Sequence, residues 1–332
     1  MRLKATWRFL ALSIVAAGSW GAGMVPARAA EPLSIVFISH SSPSNSFWQA
    51  VKKGFDDACG KVQARCQLVL TQTEGSVEQA TANLQAAIAR KPDAIFVAIV
   101  DDKAYDALVA DARAKGIIVL AVNVDDSEGA KGNARQAFIG QSFVAAGYAL
   151  GKAQSANFPE SGPIHVLMGV SAPGQTWSEQ RAAGVLKFMD DFKKANPGRE
   201  VTVGKIDSGT DLALAADRVG AYLNAHPDTT AYFDTGYWHA GVARVLKDRG
   251  IAPGKVLLGG FDLVPEVLQQ MKAGYIQTEV DQQPYMQGFM PVMEVYLAKN
   301  FGLAPADIDT GQGIVTPDKA DSIMALSKQG LR

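Results

Sequence analysis

The chain is poor in the patterns that usually announce chemistry. No G-x-G-x-x-G follows its first apolar run and no G-x-x-x-x-G-K-[ST] occurs, so neither a dinucleotide nor a triphosphate site is supported. A G-x-S-x-G elbow is missing, and nothing marks an activated serine. The four histidines, His40, His165, His226 and His239, contain no H-x-x-x-H pair from which to build a zinc site. His165 lies inside an apolar run and His226 in an N-A-H-P-D turn, and both read as structural. No catalytic residue, cofactor or metal is therefore assigned. Excess charge is lacking too: 32 Lys and Arg against 33 Asp and Glu, with no basic cluster, argue against a nucleic-acid partner. Past residue 30, no apolar run approaches the ~20 residues needed to span a bilayer.

The first 30 residues stand apart. A basic start, M-R-L-K-A-T-W-R, leads into F-L-A-L-S-I-V-A-A-G and ends in P-A-R-A-A. Ala27-Arg28-Ala29 fits the A-x-A rule, so residues 1–29 are expected to be a signal peptide cleaved near Ala29, with a signal anchor as the alternative. Neither cysteine is in lipobox context. In an oxidising compartment Cys59 and Cys66, separated by G-K-V-Q-A-R, can form a structural disulfide. Closing so short a loop would stabilise by about 2–3 kcal/mol. Two free thiols are the other reading; the spacing does not suit a redox C-x-x-C.

What the chain does have is alternation. L-S-I-V-F-I-S, Q-L-V-L-T, A-I-F-V-A-I-V and I-I-V-L-A-V-N are short, continuously apolar runs, and helical patterns follow at 47–59, 76–90 and 103–115. F-I-G-Q, I-H-V-L-M-G-V, V-T-V-G-K-I-D, A-Y-F-D-T and V-L-L-G-G-F-D repeat the theme, with helices at 143–156, 178–195, 212–225, 239–249 and 264–273. Strands apolar along their whole length must be covered on both faces, which predicts parallel sheets with right-handed βαβ crossovers. Two α/β units of similar size follow one another without a Pro/Gly/Ser linker, as lobes joined by several short crossings would.

Open parallel sheets bind ligands at the carboxyl ends of their strands. Those ends carry the 40–48 loop H-S-S-P-S-N-S-F-W, Asn123, the Ser171–Trp177 segment, Asp207–Asp211, Asp234–His239, Asp262 and Asp281-Gln282. Without a nucleophile or metal, these aspartates read as hydrogen-bond acceptors. Planar Asn, Asp, Gln and Arg groups suit a polyhydroxylated ligand, whose C–H faces pack on flat rings. Phe47, Trp48, Trp177 and Trp238 all fall on this edge. Asp101, Asp102, Asp125 and Asp126 read as solvated loop charges.

N-S-F-W at 45–48, A-R-K-P-D-A-I-F-V-A-I-V-D, A-R-A-K-G-I-I-V-L-A-V-N, F-I-G-Q-S-F-V-A-A-G-Y-A-L-G, Q-R-A-A-G-V, L-L-G-G-F-D-L-V-P-E and D-Q-Q-P-Y-M-Q-G occur in this order. Together they resemble the periplasmic sugar-binding proteins of the ribose-binding type, over essentially all of residues 33–320. The resemblance implies an α/β fold of two doubly wound parallel-sheet lobes joined by a three-crossing hinge, the type I periplasmic binding fold. The N-terminal lobe would hold residues 31–140 and 283–311, the C-terminal lobe 141–282 and 312–332. Asn45 would hydrogen-bond a hydroxyl, Phe47 and Trp48 would stack on the ring, and Asn123 stands where relatives often have Asp. Arg181 would reach the ligand from the second lobe, Asp262 would accept hydroxyl bonds, and Gln282 would lie at the hinge. His40, Trp177, Asp211, Tyr237 and Trp238 are further candidates. T-G-Y-W-H replaces the family's usual N-D pair, so Tyr237 or Trp238 would fill the pocket there. N-V-D replaces D-R after the fourth strand and removes an arginine, which points away from ribose.

The function implied is that of an exported, monomeric, non-enzymatic receptor in the periplasm. It would close on a monosaccharide or polyol and deliver it to an inner-membrane ABC permease. A sensor serving a chemoreceptor or quorum-signal kinase is the alternative on the same fold. A related repressor would carry a helix-turn-helix where the signal peptide stands. On this reading, Trp48→Ala is expected to abolish ligand binding with little loss of folding.

Overall fold

The computed structural model describes residues 31–332; the signal peptide expected over residues 1–29 lies outside them. The first βα series runs Ser34–Ile38 (β1), Phe47–Val62 (α1), Arg65–Val69 (β2), Val77–Ala89 (α2), Ala94–Val97 (β3), Asp106–Ala114 (α3), Ile118–Asn123 (β4) and Ala137–Gly140 (β5). The second runs Phe143–Ser155 (α4), Ile164–Val170 (β6), Thr176–Ala195 (α5), Val201–Asp207 (β7), Leu212–Ala225 (α6), Ala231–Asp234 (β8), His239–Asp248 (α7), Leu257–Phe261 (β9), Pro265–Lys272 (α8) and Thr278–Asp281 (β10). Pro284–Phe301 (α9), Ile308–Asp309 (β11), Gly313–Val315 (β12) and Ala320–Ser327 (α10) complete the chain.

Each series builds one sheet. The first has the order β2-β1-β3-β4-β5-β11, parallel throughout. The second has β7-β6-β8-β9-β10-β12, parallel except for β12 on β10. β3 and β9 are buried along their whole length, as strands covered by helices on both faces must be. The strand order reverses beside β1 and beside β6, so each lobe has a crevice at the carboxyl ends of those strands. The chain passes between the lobes three times: from β5 to α4, from β10 to α9, and from β11 to β12.

Glutamine amides tie these crossings together. Gln141 Nε2 donates to the Gly311 carbonyl at 2.9 Å, Gln283 Nε2 to the Thr310 carbonyl at 2.6 Å, and Gln287 Nε2 to Thr310 Oγ1 at 3.1 Å. Gln287 is fully buried, so it satisfies backbone and hydroxyl groups that no sheet ladder reaches. Cys59 and Cys66 are joined by a disulfide, with Cα atoms 6.3 Å apart, which fastens the end of α1 to β2. Asp125 and Asp126 are not the solvated charges expected. Asp125 receives a forked pair of bonds from Arg135 (3.1 and 2.6 Å), and Asp126 is 5% exposed. Among the described residues, no helix is long and apolar enough to cross a membrane.

One helix crossing is especially close. α4 and α5 meet backbone to backbone: a Cβ on Gly147 would lie 2.1 Å from the Arg181 carbonyl oxygen, and one on Gly184 would lie 2.2 Å from that of Val144. Gly147→Ala is expected to push α5 outward and destabilise the protein by about 1–3 kcal/mol, the usual range for overpacking. A chemical-denaturation midpoint equal to that of wild type would show that the crossing is not so tight.

Candidate functional site

A pocket lies where the strand ends of the two sheets face one another. His40, Ser41, Asn45, Phe47, Trp48, Glu74 and Asn123 line it from the first lobe. Phe143, Trp177, Arg181, Gly236, Tyr237, Trp238 and Asp262 line it from the second, and Gln282 from a crossing segment. The structure thus brings together every ligand residue expected from the sequence except Asp211.

The first wall is the loop between β1 and α1, and Glu74 organises it. Its carboxylate accepts from Ser41 Oγ (3.0 Å), the Ser42 amide (2.8 Å), Ser42 Oγ (3.1 Å) and Asn45 Nδ2 (2.8 Å). Asn45 Oδ1 in turn accepts from the Phe47 amide at 3.2 Å, satisfying one of the free donors at the start of α1. The Asn45 amide is thereby engaged at both ends inside the loop, which fixes its orientation while it lines the pocket. Trp48 follows, 2% exposed, with its ring edge-on to Phe37 (5.6 Å), His40 (5.8 Å) and Phe47 (5.9 Å). Its indole forms both cavity wall and core. Trp48→Ala would therefore leave a void in the first lobe and destabilise it, against the expectation of little loss of folding.

Arg181 dominates the second wall. It is 3% exposed; Nη1 donates to the Thr235 carbonyl at 2.9 Å and Nη2 to Gln141 Oε1 at 3.1 Å. The guanidinium carbon lies 4.2 Å from the Phe261 ring centroid, 4.9 Å from Phe143 and 5.7 Å from Trp177, within cation–π range. Burial lowers its pKa to about 10, with Asp262 opposing, so it stays charged at neutral pH. Its Nε has no partner in the protein. The Thr235–Trp238 turn is held by Asp234, whose Oδ1 accepts from Ser171 Oγ (2.5 Å) and the Gly236 amide (3.0 Å). Tyr237 and Trp238 stack at 4.7 Å, and Trp238 lies 6.1 Å from Trp177. Aromatic rings thus occupy the turn where T-G-Y-W-H replaces a polar pair. Behind it, His239 Nε2 meets Glu279 Oε1 at 2.5 Å, both fully buried. Burial raises Glu279 to about 7, against the pull of His239.

Between the walls, Asn123 at the end of β4 and Asp262 just past β9 take the left-handed conformation, with φ of 72° and 78°. Strained backbone of this kind gathers at ligand sites, and Asn and Asp tolerate it best among non-glycine residues. Gln282 joins them. Its Nε2 donates to Asp262 Oδ1 at 2.5 Å, and its Oε1 lies 3.5 Å from Asn123 Nδ2, which also donates to Gln287 Oε1 at 2.8 Å. Asp262 does not cap α8; burial raises its pKa, with Arg181 and the Gln282 bond opposing.

Asp211 caps α6 through bonds to the Ala213 and Leu214 amides (2.8 and 3.0 Å) and lies outside the cavity. Glu74 and Phe143 line the cavity without having been marked by sequence, and Ser41 and Gly236 do so within segments that were. Glu74 stands in the segment that follows β2, so the rule of strand carboxyl ends reaches it; Phe143 carries no polar signal that could have marked it.

Fold and site together define a two-lobed receptor with a buried cleft. The profile of the periplasmic binding protein domain matches residues 35–302, and the chain belongs to that family. Over 308 residues it is 29% identical to the xylose/arabinose-binding protein XylF of Sulfolobus acidocaldarius, covering 89% of this chain and 73% of that protein. A solute-binding protein of an ABC transporter from Burkholderia graminis, solved with D-arabinose, is similar at 26% identity and a TM-score of 0.77, over 87% of this chain and 97% of the other. A carbohydrate transporter from Acidothermus cellulolyticus, solved with myo-inositol, is similar at 25% identity and a TM-score of 0.76, over 91% and 100%. These relatives are sugar-binding or transport proteins.

The buried imidazole of His40 makes a pH signature. Burial pulls its pKa from 6.5 to about 4; Glu74 opposes this and Arg181 adds to it. The unfolded chain therefore takes up a proton near pH 6.5 that the folded protein refuses until about pH 4, so this residue's share of stability is lost as pH falls through that window. Wild type is expected to lose stability relative to His40→Gln between pH 6.5 and 4, by an amount on the order of 3 kcal/mol. Parallel denaturation midpoints for the two proteins across that range would rule this out.

Proposed function

We propose that this protein is an exported receptor that encloses one monosaccharide or polyol between its lobes and delivers it to an ABC permease in the inner membrane. One observation carries the reading. The cavity wall holds two buried nitrogens without a protein partner, Arg181 Nε and His40 Nδ1, among the rings of Phe47, Trp48, Trp177 and Trp238. A buried polar nitrogen left unmatched costs about 1–3 kcal/mol, so these atoms favour a ligand that brings hydroxyl groups, which both donate and accept. The rings suit the C–H faces of the same molecule, as few polar groups in an apolar pocket suit a small ligand. Arg181 and Asp262 offset each other, and the Glu74 carboxylate is met by four donors. Those donors solvate the Glu74 carboxylate in place of a cation, and a neutral sugar fits. The relatives named above bind pentoses or an inositol, which makes D-xylose, arabinose and myo-inositol the first ligands to try.

Residues proposed to touch the ligand are Phe47, Trp48, Asn123, Arg181 and Asp262, with His40, Trp177, Tyr237 and Trp238 around them. Because both lobes contribute, the ligand favours the closed state, the form a permease would recognise.

A thermal-shift screen of the mature protein against pentoses, hexoses, polyols and cyclitols should find at least one that raises the melting temperature. Arg181→Met should then weaken that ligand roughly 10- to 100-fold, the loss of a charged hydrogen bond. Stabilisation by an amino acid or nucleoside, with no carbohydrate effective, would sink the sugar reading.

A further inference from the structure

We propose that Gln175 is a positioning residue that latches the lobes together and ties the latch to the orientation of Trp177. The proposal rests on the sugar-binding reading for its ligand readout only. Gln175 stands immediately before α5 in the segment A-P-G-Q-T-W that follows β6. Its Oε1 accepts from Trp177 Nε1 at 2.7 Å, and its Nε2 donates across the cleft to the Gly75 carbonyl at 3.0 Å. The Gly75 amide donates to the His40 carbonyl at 2.9 Å. A run of hydrogen bonds thus leads from an indole in one cavity wall, across the cleft, to the backbone of the loop that forms the other.

The chemistry of the link is specific. It needs an uncharged group that accepts at one end and donates at the other, which a side-chain amide supplies. Position 75 is shaped to receive it. Gly75 has φ +73°, which favours glycine, and a Cβ there would come within 2.6 Å of Gln175 Nε2 and displace the amide from its seat. Its neighbour Thr176 reinforces the bridge. The Thr176 amide donates to the Val100 carbonyl at 3.2 Å, and its Oγ1 lies 3.2 Å from Asp102 Oδ1. These contacts form only when the lobes meet, so they stabilise the closed state and leave the open one unaffected. A ligand packed against Trp177 holds the indole where Gln175 can engage both partners.

Gln175→Ala should bind the tightest ligand among D-xylose, D-arabinose and myo-inositol about tenfold more weakly, from the loss of two neutral hydrogen bonds. Stopped-flow tryptophan fluorescence should place the loss in faster dissociation, with association unchanged. Gln175→Glu keeps an acceptor for Trp177 but turns an oxygen onto the Gly75 carbonyl, and should weaken binding at least as much. Wild-type affinity in either variant, or a loss confined to association, would overturn the latch. In ligand-free protein, small-angle scattering should give a larger radius of gyration for Gln175→Ala than for wild type, and equal radii would overturn the proposal. Failure of wild type to bind any of the three sugars would count against the sugar reading alone, because the ligand-free comparison still decides the latch.

Discussion

Arg181 is a cation removed from water, and a buried charge must find compensation or lose its proton. The second lobe is arranged around that requirement. Two of its nitrogens are taken by the Thr235 carbonyl and Gln141, the faces of Phe261 and Phe143 lie against it, and Asp262 balances its charge. Each of these depends on something further away. The glycine crossing of α4 with α5 brings Phe143 and Arg181 together, Asp234 holds the turn that presents Thr235, and Gln141 belongs to the first interlobe crossing. The binding site and the hinge are therefore not separate devices. Gln141 accepts from Arg181 and donates to the Gly311 carbonyl of another crossing, so cavity and hinge share one hydrogen-bonded network.

A similar sharing joins Asn123 and Asp262. Each sits at the carboxyl end of a strand, one per sheet, in a left-handed conformation that points to function, and Gln282 spans the gap. A rotation of one lobe against the other must either carry this amide chain along as a pivot or break it. Because buried amides are costly to leave unpaired, the former is favoured, and motion is confined to the cleft side. There the interlobe contacts are few, mostly between neutral groups, and they can be exchanged for water when the lobes part.

Much of the fold could be read from residue order. Short apolar runs, most of them rich in Val and Ile, located the strands of both sheets as far as β9, and the helices between them agree within a few residues. The later elements were less legible. α9 begins at Pro284 after a left-handed Gln283 and contains Pro291, so its sequence carries the marks of a broken helix. β11 has two residues and β12 three, too short for any periodicity, and they belong to their sheets only through pairing with distant strands. In the cavity, the rule of strand carboxyl ends reached Asn123, Arg181's neighbours and Asp262 because parallel topology converts position along the chain into position in space. It also selected Asp211, which obeys the local preference of Asp for helix starts instead.

Asn45 and Trp48 mark the boundary most clearly. Composition and spacing were enough to place a ring-bearing loop at the mouth of a strand-to-helix turn, since both features are local. Which ends of the Asn45 amide would be occupied depended on Glu74, which arrives from the end of β2, 29 residues away. How far Trp48 would serve the core depended on Phe37 from β1. Covalent order and periodicity set element type and register, because both act over a few residues. The partner that satisfies a polar group or covers a ring is chosen only when distant strands are brought side by side, so the division of labour within the loop is a property of the folded molecule.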